Sequence, residues 1–178
     1  MRNVNWDTVQ DEIRRPVPGG YAAKIVRVDD DEKKEYLRIE WEFADGEFKG
    51  ANQETFDAFG FWPMTMFRSY KDKALRFFKA FKSAVEESNR NYTFANDPQS
   101  LVGKFVGVIL GEEEYMAGDG KIKIRLYVAA TKPGKDIRDG NFTVPELKKL
   151  ATAYPTSYSS APAHDFAMLD DDDANLPF

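Results

Sequence analysis

With a single histidine, His164, and no cysteine in 178 residues, the chain lacks the side chains for a Ser-His-Asp or Cys-His nucleophile, a thiolate metal site or a disulfide framework. No GxxxxGKS/T loop is present to cradle nucleotide phosphates. The carboxylate runs Asp29 to Asp31 and Glu112 to Glu114 have the ligand type for Mg2+, which leaves a metal-dependent nuclease as one reading. Both runs fall where turns are expected, and solvated loops explain them more simply. The expectation is therefore no enzyme and no cofactor. The remaining chemistry suits a polyanion with flat rings. Lys121, Lys123, Arg125 and Tyr127 alternate along one stretch, giving three cations and a ring on one strand face, and Lys132, Lys135 and Arg138 extend them. Tyr36 and Arg38 form a smaller pair of the same kind. A third group is the aromatic-rich stretch Phe56 to Phe67, in which Phe59, Phe61 and Trp62 could stack on bases. Each has a plainer alternative: alternating lysines also protect a strand edge, and rings also plug a core.

Chemistry of another type lies at the C-terminal end of the sequence. Asp170, Asp171, Asp172 and Asp173 repel one another and solvate strongly, predicting an extended acidic segment. Leu176, Pro177 and Phe178 follow, a stiff apolar anchor with the chain-end carboxylate beside its ring. Such a segment suits a partner with a hydrophobic pocket rimmed by Lys and Arg, long-range attraction guiding encounter and the ring giving grip.

The charge balance separates this tail from the body. Net charge is −5, from 30 acidic and 25 basic residues. Five of the acidic residues, Asp165 and Asp170 to Asp173, lie in the last fourteen, so residues 1–164 balance at 25 of each. The hydrophobic content of 42% and aromatic content of 14% suffice for one core. No apolar run is long enough to span a bilayer and residues 1–7 lack a signal-peptide stretch, so a cytoplasmic protein with no membrane partner is expected.

The elements that would position these residues follow from periodicity. Residues 1–15 hold Trp6, Val9 and Ile13 at helical spacing and read as a packing arm. After the helix-breaking Pro16 to Gly20, a first strand is expected over Tyr21 to Val28. In the second, Leu37, Ile39, Trp41 and Phe43 alternate with charged residues and face a core. Asp45-Gly46 suggests a hairpin into a third strand at about Phe48 to Asp57. The aromatic stretch then reads as a loop, and Leu75, Phe78, Phe81 and Val85 mark a helix over about Ser69 to Ser88. Val102 to Tyr115, interrupted by Gly103, Gly107 and Gly111, reads as a bent central strand, turning at Ala117 to Gly120 into a fifth over Lys121 to Ala130. Thr143 as cap, Pro145 and Glu146 predict a short helix over Val144 to Thr152. Residues 153–169 read as a linker and 170–178 as the tip.

This order predicts a mainly β, α+β domain over residues 16–152, a five-stranded barrel of the oligonucleotide-binding type with a helix between strands three and four. The tip resembles that of bacterial and phage single-stranded-DNA-binding proteins, which end in several Asp followed by Ile-Pro-Phe or Leu-Pro-Phe; here Ala174 and Asn175 stand between run and anchor. The body resembles phage-encoded members more loosely, through Gly20-Tyr21, Leu37 to Phe43, Phe48-Lys49-Gly50 and Gly103-Lys104-Phe105. The resemblance implies sequence-nonspecific binding of single-stranded DNA in phage replication or recombination. It also implies recruitment of replication, recombination and repair proteins by the tip, in a host cytoplasm, with a homo-oligomer possible. An adaptor or decoy that uses the tip without binding DNA is the competing reading.

Overall fold

The computed structural model describes residues 15–150. The arm carrying Trp6, Val9 and Ile13, the linker with His164, and the tip lie outside them.

Alternation sets the first two strands. In β1 (Gly19–Asp31), Ala23, Ile25 and Val28 are buried, and a register shift between Ile25 and Arg27 accommodates Val26 as an extra residue. In β2 (Tyr36–Phe43), Leu37, Ile39, Trp41 and Phe43 all point into the core, as their spacing predicts. Burying each such side chain stabilises the fold by about 1.5–3 kcal/mol. Trp41 and Phe43 meet edge-to-face at 4.9 Å, and Tyr21 closes on Phe43 at 5.3 Å.

The third strand is not where the Asp-Gly pair suggests. Residues expected to return as a strand instead form α1 (Ala51–Phe59), and β3 is Thr65–Ser69, inside the stretch read as an aromatic loop. The cause is a cap supplied from β2. One Glu42 carboxylate oxygen accepts the Asn52 N–H at 3.2 Å and the other accepts the Gln53 N–H at 2.7 Å, satisfying free donors at the start of α1. Gly50, at φ 84°, takes the left-handed conformation that starts the helix there. The Asn52 amide donates to the Trp41 carbonyl at 2.8 Å and locks α1 to the strand.

After β3 the chain passes through a 3-10 turn, Asp72–Ala74, into α2 (Leu75–Ser88), later than the expected start at Ser69. Phe81, Ala84 and Val85 are its buried stripe. β4 (Phe105–Met116) buries Val106, Val108 and Leu110, and β5 (Ile122–Lys132) pairs with it as expected. All ladders are antiparallel, in the order β3-β2-β1-β4-β5. β1, not β4, is central. The sheet is open, with no ladder joining β3 to β5 among the described residues. However, α2 packs against β3, β4 and β5, so it touches both edges. The fold is an α+β, five-stranded antiparallel sheet with helices.

The last described stretch departs most from expectation. After α3 (Gly134–Arg138), residues 141–150 are not helical; they run as a strap over the solvent side of β1 and β4. Lys148 donates to Glu112 O and accepts from the Glu114 N–H, both at 2.9 Å, in a parallel bridge beside Glu113. β1 ends its pairing at Leu110, which leaves that edge of β4 free, and these unpaired backbone groups outweigh the capping signal of Thr143 to Glu146. Glycines make room for the strap. A Cβ at Gly20 would lie 2.6 Å from the Phe142 ring and one at Gly111 would lie 2.7 Å from Pro145, while Gly107 makes room in the same way for Ile137 of α3.

Beyond the strap the β4-β5 hairpin overhangs the core. Ile122 and Ile124 have the expected inward alternation but remain 50% and 55% exposed because nothing among the described residues packs beneath them. No helix among those residues is long and apolar enough to cross a membrane.

Candidate nucleic-acid interface

The side of the sheet opposite the core is divided by the strap. On one side, β1, β2 and β3 present Arg27, Asp29, Tyr36, Arg38, Glu40, Thr65, Phe67 and Ser69 in cross-strand register. Tyr36 meets Phe67 edge-to-face at 5.4 Å, and Phe67 stands directly across from Arg38. Arg38 donates to Glu40 at 2.8 Å and lies 3.9 Å from Asp29. Arg27 donates to Asp29 at 2.8 Å and approaches Glu40 at 3.7 Å. The hydrogen bond to Asp29, then the charge of Glu40, raise the Arg27 pKa further. Two guanidinium groups and two rings thus share an open surface, held in place by one buried and one half-exposed carboxylate.

Expectation and structure agree on Tyr36 and Arg38 as neighbours. Phe67 and Arg27 were not anticipated. Phe67 belongs to a five-residue strand too short to show its alternation beside Pro63, and the β1 bulge displaces Arg27 from the period-two row. Arg68, next in sequence to Phe67, faces the core side instead. Its guanidinium donates to the Phe67 carbonyl and sits 5.7 Å from the Phe81 ring, and burial lowers its pKa to about 10.

The aromatic stretch divides by role. Trp62 is half-buried and its indole N–H donates to the Trp41 carbonyl at 3.0 Å, so it is anchored to β2 just before β3 begins. Phe59 and Phe61 are 70% and 56% exposed, with ring centres 6.2 Å apart. They form a second exposed ring pair, at the end of α1 and in the turn that leads to β3.

Across the strap, the β5 row lies on the same side of the sheet but does not join the first group. Lys121 is exposed, with no ion pair among the described residues. Lys123 pairs with Asp119 at 3.1 Å, and Arg125 pairs with Glu113 at 2.8 Å while stacking 5.0 Å over the Tyr115 ring. Tyr127, half-buried opposite Gly111, has its pKa raised by desolvation and then by Glu113. Lys132 donates to the Asn141 carbonyl at 3.2 Å and so holds the strap. The outward row is therefore largely committed to local partners.

The acidic runs are committed as well. Asp29 serves the arginines, Asp30 accepts from the Tyr70 hydroxyl at 2.8 Å, and Asp31 accepts the Lys34 N–H at 3.1 Å. Desolvation, then that hydrogen bond to Asp30, raise the Tyr70 pKa to about 12. Glu113 holds Arg125, and Glu114 accepts the Leu150 N–H at 3.0 Å. Among the described residues no group of three His, Cys, Asp or Glu side chains is placed to hold a metal ion.

No protein-family model matches the chain, and no curated protein matches it in sequence. The surface offers cations of the kind that contact phosphates, rings of the kind that stack on bases, and carboxylates that fix and partly neutralise the cations.

Proposed function

We propose that this protein binds single-stranded DNA without sequence preference and recruits replication, recombination or repair proteins through residues 170–178. The observation that carries the reading is the Tyr36-Phe67 ring pair beside Arg38, on the uncovered side of β2 and β3. Rings accept any base and guanidinium groups accept any phosphate, so such a surface holds a strand without reading it. The strand order supports the same reading. Neighbours β3, β2 and β1, a helix touching both sheet edges and a β4-β5 hairpin beside β1 are compatible with the strand order of an oligonucleotide-binding barrel, although this sheet is open. In this reading Tyr36, Arg38, Phe67 and Arg27 form the centre of the interface, and Phe59, Phe61 and Trp62 extend it. Lys121 contributes charge from the far side of the strap.

Titration with dT oligomers of increasing length, followed by aromatic fluorescence, tests this. Quenching with a log-log salt slope near −3, for about four neutralised phosphates, is expected. Equal affinity for duplex, or no binding at low salt, overturns it. The ion pairs on Arg27, Arg38, Lys123 and Arg125 favour the adaptor reading as second, because they reduce the charge available to phosphate. Partner capture by the tip without any DNA binding would select it.

A further inference from the structure

The sheet face pairs most of its cations with carboxylates, but α2 does not. Between Lys71 and Ser83 the only carboxylate is Asp72, against Lys71, Lys73, Arg76, Lys79 and Lys82. Lys82 turns toward Glu86 and pairs with it at 3.1 Å. Lys73, in the 3-10 turn that leads into α2, and Arg76 and Lys79, on α2 itself, recur at intervals of three as a short stripe, and all three are exposed, with no ion pair among the described residues. A ring accompanies it: Phe77 is 52% exposed and the Arg76 guanidinium lies 4.6 Å from its centre, making a flat cationic platform on the outside of the domain.

This stripe adjoins the sheet face. Ser69 ends β3 opposite Tyr36, and Lys73 follows four residues later, within about 14 Å of chain. Tyr70 fixes the junction, its N–H donating to the Glu35 carbonyl at 2.9 Å and its hydroxyl to Asp30.

We propose that Lys73, Arg76, Phe77 and Lys79 form a second contact surface for the same single strand, which leaves the sheet at Tyr36 and continues over α2. The inference rests on the single-stranded-DNA reading above and adds to it a path and a length. The sheet supplies rings with charge-compensated arginines, and α2 supplies uncompensated charge, so the salt dependence of binding originates mainly on the helix. A planar platform favours a base over an acidic peptide, which needs cations but no exposed ring.

The test compares wild type, a Lys73→Gln, Arg76→Gln, Lys79→Gln triple variant and Phe77→Ala on dT oligomers from short to long. Wild-type affinity should rise with length until the strand covers both surfaces. The triple variant should reach its plateau at a shorter oligomer, with a salt slope shallower by about 2 for three lost phosphate contacts. Phe77→Ala should weaken binding about five-fold or more, with the slope retained. Protection of Lys73 and Lys79 from amine acylation by dT in the wild-type protein gives a second reading that no variant's folding affects. Wild-type binding with unchanged slope and plateau in the triple variant, or no lysine protection, leaves sheet binding standing and overturns the α2 path. Protection by a peptide of residues 170–178 but not by dT overturns it in favour of an acidic peptide. Absence of any wild-type DNA binding overturns both proposals.

Discussion

Arg38 donates to Glu40 at 2.8 Å, and Glu40 is 6% exposed although it lies on the solvent side of the sheet. The carboxylate sits beneath the guanidinium and orients it while cancelling its charge. Glu40→Gln keeps an acceptor but removes that charge. Stability should fall by about 1–2 kcal/mol, less than for a fully buried pair because both arginines reach water. Affinity for dT should rise at low salt, since Arg27 and Arg38 lose a competitor for phosphate. Denaturant melts and a DNA titration at two salt concentrations check both signs; reduced affinity with intact folding would remove the arginines from the interface.

The Tyr36-Phe67 pair can be tested apart from charge. Tyr36→Ala and Phe67→Ala should each cost about 1–3 kcal/mol of binding, leave the salt slope unchanged, and combine non-additively because the rings support one another at 5.4 Å. Isothermal titration of the two single variants and the double variant measures this. Full additivity would mean the rings act independently.

Strands whose faces differ in polarity were legible in the sequence: the Leu37, Ile39, Trp41, Phe43 row is buried as its alternation predicts, and the β4-β5 hairpin has its expected partners. Two misreadings share a cause, a backbone group or side chain distant in sequence. Glu42 caps α1 from another element, and the free edge of β4 takes Lys148 from a segment with good helix signals. No local window contains either partner. In the site, Tyr36 and Arg38 could be read because a long strand displays its period, whereas the short β3 and the β1 bulge concealed Phe67 and Arg27. Lys123, Arg125 and Tyr127 share one face of β5 as their alternation predicts, whereas Lys121 falls in the turn before the strand. The neutralisation of that row could not be read, because Glu113 meets Arg125 only through strand register.

The strap offers a packing test. Gly20→Ala would drive a methyl into the Phe142 ring, costing about 1–3 kcal/mol unless the strap shifts. Adding Phe142→Ala should recover part of that loss, a coupling that a double-mutant cycle detects. Amide exchange in residues 141–150 should accelerate in Gly20→Ala alone. Additive losses would show that the contact contributes nothing specific.

Glu86 supplies a pH dependence. It accepts the Phe94 N–H at 2.8 Å, the main reason its pKa lies below the ordinary 4.5, with Lys82 at 3.1 Å adding to the shift. A depressed folded pKa means the stabilisation is complete above the ordinary value and lost as pH falls through the lowered one. Wild type should therefore exceed Glu86→Gln in urea midpoint at neutral pH, with the gap closing once the pH drops below about 4.5. A gap constant down to pH 3 would assign the effect to packing.

The tail should separate two functions. Phe178→Ala should abolish capture of replication and repair proteins while leaving DNA affinity nearly unchanged, because a pocket needs the ring and phosphate sites do not. The Asp170 to Asp173 run should act on the body itself. Tethered by roughly twenty residues, it is held at an effective concentration of order millimolar near any cationic surface that DNA also uses. Removing residues 165–178 should raise DNA affinity modestly, most at low salt, where the attraction is least screened. By linkage, bound DNA should then free the tip and strengthen partner capture on coated strands. Full-length protein and residues 1–164 are to be compared on dT at two salt concentrations. Identical affinities at both would eliminate the competition, while loss of capture in Phe178→Ala would still establish the tip as the partner-binding element.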